Sequence, residues 1–406
     1  MKQTREKRNL KEQRAITLIA LVITIIVLLI LAAVSIATLT GQNGILAQTN
    51  KAKEQTKKAN IEEQRKLAQA EANLNITETV YNGVKIPANC APIKISGGST
   101  VNEGLVIIDK NGNEWVWIEV PKSIYTNATY NGGTAPASSE DYEKIESVMQ
   151  EYANTYRSSI YTDTWYSEEQ HGFASEEEYN NHKNNMLKSV YENGGFYIGR
   201  YEVGTSTARV KGTNDEGLSA PVIRQDAYPY NYVTCKQAQS LANQLATEGK
   251  TSSLMFGIQW DLVLKYIEEK GYLVDGTKVT QDMLKSDSTT WGNYYDAEFD
   301  ITRGQYMIVE PYVENSWESV TSTYSKTKQY VLLTTGVTER NSVLNIYDLA
   351  GNVWEWTLEY TDETAFTCGG RGGNYDQYGD WHPASYHGNF SEAMGYRSVG
   401  FRPALY

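Results

Sequence analysis

The residues able to do chemistry are few and scattered. The chain holds three cysteines, Cys90, Cys235 and Cys368, and four histidines, of which His382 and His387 lie five apart. Three cysteines this far apart make neither a disulfide framework nor a zinc site, which needs close pairs of soft ligands. They leave two readings: three inert thiols, or one bridge with a leftover thiol. Asp376 and Asp380 stand near the two histidines, so the four side chains are either a metal site or ordinary surface polar groups on irregular chain. No G-x-S-x-G, H-E-x-x-H or phosphate-cradling glycine loop occurs, so the sequence offers no signature of a hydrolase or nucleotide enzyme.

A different chemistry is concentrated near the end. Between Asn374 and Phe390 the chain reads N-Y-D-Q-Y-G-D-W-H-P-A-S-Y-H-G-N-F. A core strand would alternate apolar residues, and a solvated loop would lack the rings. Rigid Tyr and Trp anchors among small adaptable polar groups are what binding surfaces use. Candidate ligand contacts are Asn374, Tyr375, Asp376, Tyr378, Asp380, Trp381, His382, Tyr386, His387 and Asn389. The opposing reading is that these aromatics pack an irregular fold. The 30 tyrosines against 7 phenylalanines suit wet, contact-making surfaces.

The elements that must position this segment carry their own signals. Leu105 to Val120 reads L-V-I-I-D, K-N-G-N, E-W-V-W-I-E-V, and an Asn-Gly turn between alternating runs predicts a hairpin with both faces covered. Thr234 and Gln237 form a capping box ahead of Ala238, Leu241, Ala242 and Leu245, which predicts a helix. Trp260, Val263, Leu264 and Ile267 repeat the helical spacing. Residues 122–190 and 270–330 read as insertions, the former with helical stretches near 139–157 and 175–192.

The N-terminus is of another kind. Residues 1–14 hold six basic and two acidic side chains, so the remainder carries −16 of the net −12. That acidity argues against a nucleic-acid partner. Residues 15–40 begin with twenty-five uncharged positions, about 37 Å as helix, enough to cross a bilayer. The basic leader (1–14) should stay cytoplasmic, giving a single-pass membrane protein with everything after Thr40 outside. A cleaved, secreted form is the alternative. Residues 41–76 are polar and rich in helix formers, and read as a helical stalk, either a plain spacer or a coiled-coil strand.

Two resemblances complete the reading. Arg14-Ala15-Ile16-Thr17-Leu18-Ile19 resembles a type IV pilin N-terminus, departing at Ala15, where the family has glycine, and at Ala20, where it has glutamate; it implies pilus subunits as partners. The blocks N-I-Y-D-L-A-G-N-V-W-E-W-T (345–357), C-G-G-R-G-G-N-Y (368–375) and G-F-R-P (400–403), with G-G-F-Y-I-G-R-Y-E-V (194–203), resemble the formylglycine-generating-enzyme-like (sulfatase-modifying factor) family. This implies an α+β, irregular C-type-lectin-like domain over 77–406. Catalysis in that family uses a copper-binding cysteine pair between R-G-G and G-F-R. Here no cysteine follows Cys368, so neither copper nor enzyme activity is expected. The family's glycine turn holds one Ca2+ at positions matching Asp348, Gly351, Val353 and Glu355; the competing expectation is that Glu355 pairs with Arg371 or Arg402 in the core. In relatives that serve as variable proteins of diversity-generating retroelements, the segment before G-F-R is the diversified ligand-binding face. The resemblance therefore implies a cell-surface recognition protein whose 374–397 segment binds an unknown surface or secreted macromolecule. A structural minor pilin and an oxidoreductase acting on a thiol are the two other readings.

Overall fold

The computed structural model describes residues 24–30, 45–95, 97–126, 135–210, 218–310, 313–314, 316–362 and 366–406. The basic leader and most of the 15–40 apolar run lie outside these. Residues 24–30 are helical and exposed, and among the described residues no helix is long and apolar enough to cross a membrane. The chain divides into two units, Met1–Gln64 and Arg65–Tyr406. Helix α1, Ile45–Leu74, runs from one into the other. Within the larger unit its last turns are not a plain spacer. Ala68 and Ala72 are buried, and Arg65 ion-pairs with buried Glu114, so the helix end is fastened by packing and charge.

The larger unit holds two main sheets. In the first, β1 (Cys90–Pro92), β2 (Val106–Asp109), β3 (Glu114–Glu119), β5 (Gly195–Gly199), β6 (Ser252–Leu254) and β13 (Pro403–Leu405) lie in the order β6-β13-β5-β3-β2-β1. The Asn-Gly hairpin forms its core, with Ile107 opposite Trp115 and Val106 opposite Val116. The Asp109 carboxylate closes the turn by accepting from the Asn111 and Asn113 amides at 2.8 and 2.9 Å. Gly112, at φ +85, supplies the left-handed residue that the reversal needs. Every residue of β2 and all but the last of β3 are buried, as strands covered on both faces must be.

Residues 122–190 are built into the core rather than laid over it. Helix α2 (Ser139–Tyr152) starts at a Ser138/Asp141 capping box, and α3 (Glu176–Asn193) at Ser175, whose side chain accepts from Glu178 N. Tyr179, Met186, Leu187 and Val190 of α3 are buried. Between the helices, β4 (Tyr161–Thr162) pairs with the second sheet. The next residue, Asp163, accepts from the Gly257 and Ile258 amides at 2.6 and 3.0 Å. Those are the first two residues of α5 (Gly257–Lys270), so a carboxylate from the insertion satisfies the orphan donors of the central helix. Residues 270–330 likewise contribute to the core. Trp291, Asn293 and Tyr294 are fully buried, and β7 (Gln305–Glu310) pairs with β8 (Val331–Leu333). Helix α4 (Cys235–Asn243) begins at the Thr234/Gln237 box that the sequence predicts.

The second sheet carries the site. Strand β9 (Trp354–Thr361) is central, antiparallel to β10 (Cys368–Arg371), which pairs with β11 (His387–Phe390). On its other side β9 runs parallel to β12 (Val399–Phe401), and its far end takes β4. Trp354 and Trp356 share a face, both meeting the Phe390 ring at 5.7 and 5.3 Å. Glu355 points the opposite way, as alternation along a strand requires.

Burial fixes the charge state of the histidine at the start of this region. His171 is fully buried, its Nδ1 accepts from the Tyr166 amide at 3.2 Å, and burial lowers its pKa to about 3. A histidine held neutral in the fold contributes stability that is present above its unfolded pKa, about 6.5, and is lost as pH falls toward the folded value. The unfolding free energy of wild type minus that of His171→Gln should therefore shrink between pH 6.5 and 4, by up to about 1.4 kcal/mol per pH unit. Urea titrations across that range would check this, and a constant difference would contradict it.

Candidate functional site

The backbone of the 374–387 segment is tied down along its length. Tyr375 N donates to Asn352 O, Tyr295 N to Gln377 O and Ser288 N to Gly379 O; Ser385 N donates to Leu284 O. Gly379 N donates to Asp296 Oδ1 and Trp260 Nε1 to Ala384 O. Two glycines permit the path. At Gly351 (φ +77) a β-carbon would sit 2.3 Å from Asn293 O, and at Gly373 (φ +73) the same distance from His382 O. Any side chain there would collide with backbone, so the loop folds over its own R-G-G turn only because these positions are glycine.

On that fixed path the side chains separate into two sets. Tyr378, Trp381 and Tyr386 are 38, 64 and 41% exposed, and Asp380 is exposed beside them. Tyr378 packs on Trp381 with ring centroids 4.9 Å apart, and Tyr386 lies against His382 at 4.5 Å and Trp354 at 5.9 Å. Asp376, His382, His387 and Asn389 are half-buried. Asn374 and Tyr375 are corrected: both are buried. Tyr375 packs among Met307, Val309, Leu332 and Val353, and its hydroxyl accepts from Arg397 Nε at 3.0 Å. Five aromatics in one stretch thus serve two purposes, because the turn at Gly373 puts Tyr375 beneath the loop and Tyr378 on top.

The segment does not stand alone. Asp380, Trp381, Pro383, Ser385, Tyr386, His387 and Asn389 form one wall of a cleft of about 660 Å³ whose other wall is Thr155 to Tyr161 of the 122–190 stretch, with Lys285 and Ser286 at its end. The Tyr161 ring lies tilted against His387, with centroids 4.8 Å apart. An adjoining cleft of about 670 Å³, lined by Glu146, Gln150, Glu151, Asp163 and Lys183 among others, shares Arg157 and Ser158 with the first. No sequence signal marks Arg157 or Tyr161 as partners of a loop more than two hundred residues away.

Beneath the cleft lies a buried ion network. Arg371, fully buried, pairs with Asp261 through Nη2 and places Nε 3.1 Å from Glu359 Oε2. Its Nη1 donates to Ser385 O at 2.6 Å and meets His387 Nδ1 at 3.2 Å. That contact makes Nδ1 an acceptor, so the proton of neutral His387 sits on Nε2, 3.4 Å from Glu359 Oε1. Burial and the facing Arg371 lower the His387 pKa. For Glu359, burial pushes toward the neutral acid, but Arg371 and His387 outweigh it and the net shift is downward. Asp261 goes the other way, raised to about 7 because desolvation exceeds the pull of Arg371 and Arg157. His382 and His387 are committed to different neighbours, and among the described residues no group of three His, Cys, Asp or Glu is placed to hold a metal.

The Asp348, Gly351, Val353 and Glu355 set does not fit a calcium ion. Both Glu355 oxygens are taken by Arg402, at 3.0 Å from Nε to Oε2 and 2.6 Å from Nη2 to Oε1. A divalent ion there would face a buried guanidinium. Val353 N donates to Glu202 Oε1 at 3.1 Å, and Asp348 Oδ2 accepts from Gly336 N at 2.7 Å. Of the two ion pairs that the sequence leaves open for Glu355, Arg402 is the one made. Chelation by EDTA should leave the melting temperature unchanged in wild type and in Asp348→Asn alike. A fall of several degrees confined to wild type would restore the calcium site.

The cysteines differ from the expectation in one respect. Cys368 is not isolated: the Cys235 thiol at the start of α4, which donates to Thr357 O at 3.6 Å, acts with burial to raise the Cys368 pKa. All three thiols are buried and none lines either cleft, so a substrate thiol has no path to the pair in this conformation.

No curated protein matches the chain. Among solved structures, Treponema denticola variable protein 1 is similar at 13% identity and a TM-score of 0.28, over 52% of this chain and 84% of that one. Residues 167–405, more than half of the chain, match the family described as the sulfatase-modifying factor enzyme 1-like domain, and the chain belongs to that family.

Proposed function

We propose that this chain is a recognition protein that binds a macromolecular ligand through the face formed by Tyr378, Asp380, Trp381, Tyr386 and the cleft beside them. The observation that carries this is the separation within one segment: a backbone fastened to the core and side chains left exposed. Pre-organised anchors lose little entropy on binding, which is how a small set of Tyr and Trp side chains yields affinity. The segment between R-G-G and G-F-R carries no cysteine, which supports reading the site as one for binding rather than for family-type turnover. The location we propose is the cell surface, with 15–40 as a single-pass anchor and 41–76 as stalk, on the strength of the basic leader and the uncharged run.

The same face suits diversification. Adenine-directed change of asparagine codons reaches Tyr, Asp, His, Ser, Ala, Gly and Phe, but not Trp, Gln, Glu or Met. Tyr378, Asp380, His382, Tyr386 and His387 are of the reachable types and lie on the face or line the cleft, whereas Asn374 and Tyr375 are reachable in type but buried. Copies of this gene segment from different isolates should therefore vary at Tyr378, Asp380, His382 and Tyr386, and hold constant Tyr375, Gln377, Trp381, Glu392 and Met394, together with His387, which the Arg371 network uses. Substitutions spread evenly over both sets would reject diversification. For a ligand so identified, Tyr386→Ala should weaken binding by about 2 kcal/mol, while an exposed-site truncation changes folding by roughly 1 kcal/mol or less. Unchanged binding in both Tyr386→Ala and Trp381→Ala would reject the face itself.

A further inference from the structure

We propose that the junction of the two clefts is a carboxylate-recognition site, in which Arg157 takes the anion while Trp381 and Tyr386 take the apolar group that bears it. The inference rests on the recognition reading above and specifies the ligand chemistry at that face.

Arg157 is anchored from behind. Its Nη1 donates to Asp261 Oδ2 at 2.9 Å and lies 3.7 Å from Asp163 Oδ2. Its Nε and Nη2 make no hydrogen bond to a described residue, and the side chain is 14% exposed where the two clefts meet. A guanidinium fixed at one terminal nitrogen, with its Nε and second terminal nitrogen open, presents the fork that a carboxylate fills with two parallel bonds.

The acids acting on Arg157, namely Asp163, Asp261 and Glu359, do not consume its charge, because each is shared, Glu359 with Arg371. Asp261 gives its other oxygen to Arg371, and Asp163 accepts from the Gly257 and Ile258 amides. Lys285, exposed, adds a second positive charge to the aromatic cleft, and Asp380 is the one carboxylate among its lining residues. Ser158 offers a hydroxyl at the junction. The remaining wall is aromatic, with Tyr161 and Tyr386 and, most exposed of all, Trp381. A carboxylate next to a flat or apolar group satisfies both halves, and an anion with no apolar partner satisfies only one.

The test uses the full chain and two isosteric probes, benzoate and its neutral counterpart benzamide, titrated by calorimetry and tryptophan fluorescence. Benzoate should saturate, with benzamide about tenfold weaker or worse, as loss of a charge-assisted bidentate pair implies. Arg157→Lys, which keeps the charge facing Asp261 but not the fork, should lose about tenfold for benzoate and nothing for benzamide. Lys285→Gln lies outside the buried network and reports independently of folding; it should weaken benzoate a few-fold, most clearly at low salt. N-acetylaspartate and glucuronate then distinguish a peptide from a saccharide as bearer, and preference for either supports the assignment. Equal affinity for benzoate and benzamide, or wild-type benzoate binding in both Arg157→Lys and Lys285→Gln, overturns it. If the two probes bind equally and both are lost in Trp381→Leu, the carboxylate inference fails while the recognition face stands.

Discussion

The Arg371 guanidinium is the constraint on which the site depends. It is fully buried, and a charge in that setting is tolerated only when its donors are met by fixed acceptors. Its terminal nitrogens are met by Asp261 on α5, by Ser385 O on the chain running into β11 and by His387 at the start of β11, and Glu359 on β9 pairs with it from 3.1 Å. Helix, central strand and loop are thus held in one arrangement. Removing Arg371 would take the buried guanidinium from Glu359 and leave Asp261 with Arg157 alone, and breaking a buried pair in this way typically costs about 3 to 5 kcal/mol. The second buried arginine, Arg402, does the same across the sheets, joining Glu355 to Gly199 O at 2.9 Å and Tyr347 O at 2.7 Å.

A loop held this way can vary on its outer side without consequence for its inner side. Tyr386 rests on Trp354 and His382, and Tyr378 on Trp381 and Tyr295, while Tyr375 and the glycine turn beneath them carry the packing. Asp163 extends this logic to the 122–190 stretch. By capping α5 it positions Tyr161 and Arg157 against the loop, so the cleft is the product of two distant segments referenced to one helix. The fold thereby offers a rigid floor and two walls, one of which carries Asp380, Trp381 and Tyr386, whose side chains stand outside the buried ion network.

Much of this was legible in the residues, and the limits are physical. The hairpin at 105–120 and the helix after Thr234 depend on local rules, turn chemistry and capping, and local rules are written in adjacent positions. The W-E-W alternation likewise announced its two faces, and the choice between Arg371 and Arg402 for Glu355 was narrowed to two correctly. What stayed hidden depends on long-range geometry. Tyr375 and Tyr378 are three apart and of one type, and only the Gly373 turn decides that one is core and the other surface. Arg157, Tyr161 and the Cys235–Cys368 contact join positions far apart in the chain with no shared periodicity. Which arginine takes Glu355 was hidden for a similar reason, since Arg402 lies 47 residues beyond the glutamate that it occupies.

The central claim is that a fixed scaffold carries a face whose side chains are dispensable for folding. The most direct measurement is the unfolding free energy of a fourfold variant, Tyr378→Ala, Asp380→Ala, Trp381→Ala and Tyr386→Ala, set against Arg371→Met in the same full chain. The account predicts that the fourfold variant loses no more than about 2 kcal/mol, as exposed sites do, while the single buried substitution loses about 3 to 5 kcal/mol. A fourfold variant destabilised as much as Arg371→Met would show that the exposed rings are part of the core, and would contradict the account.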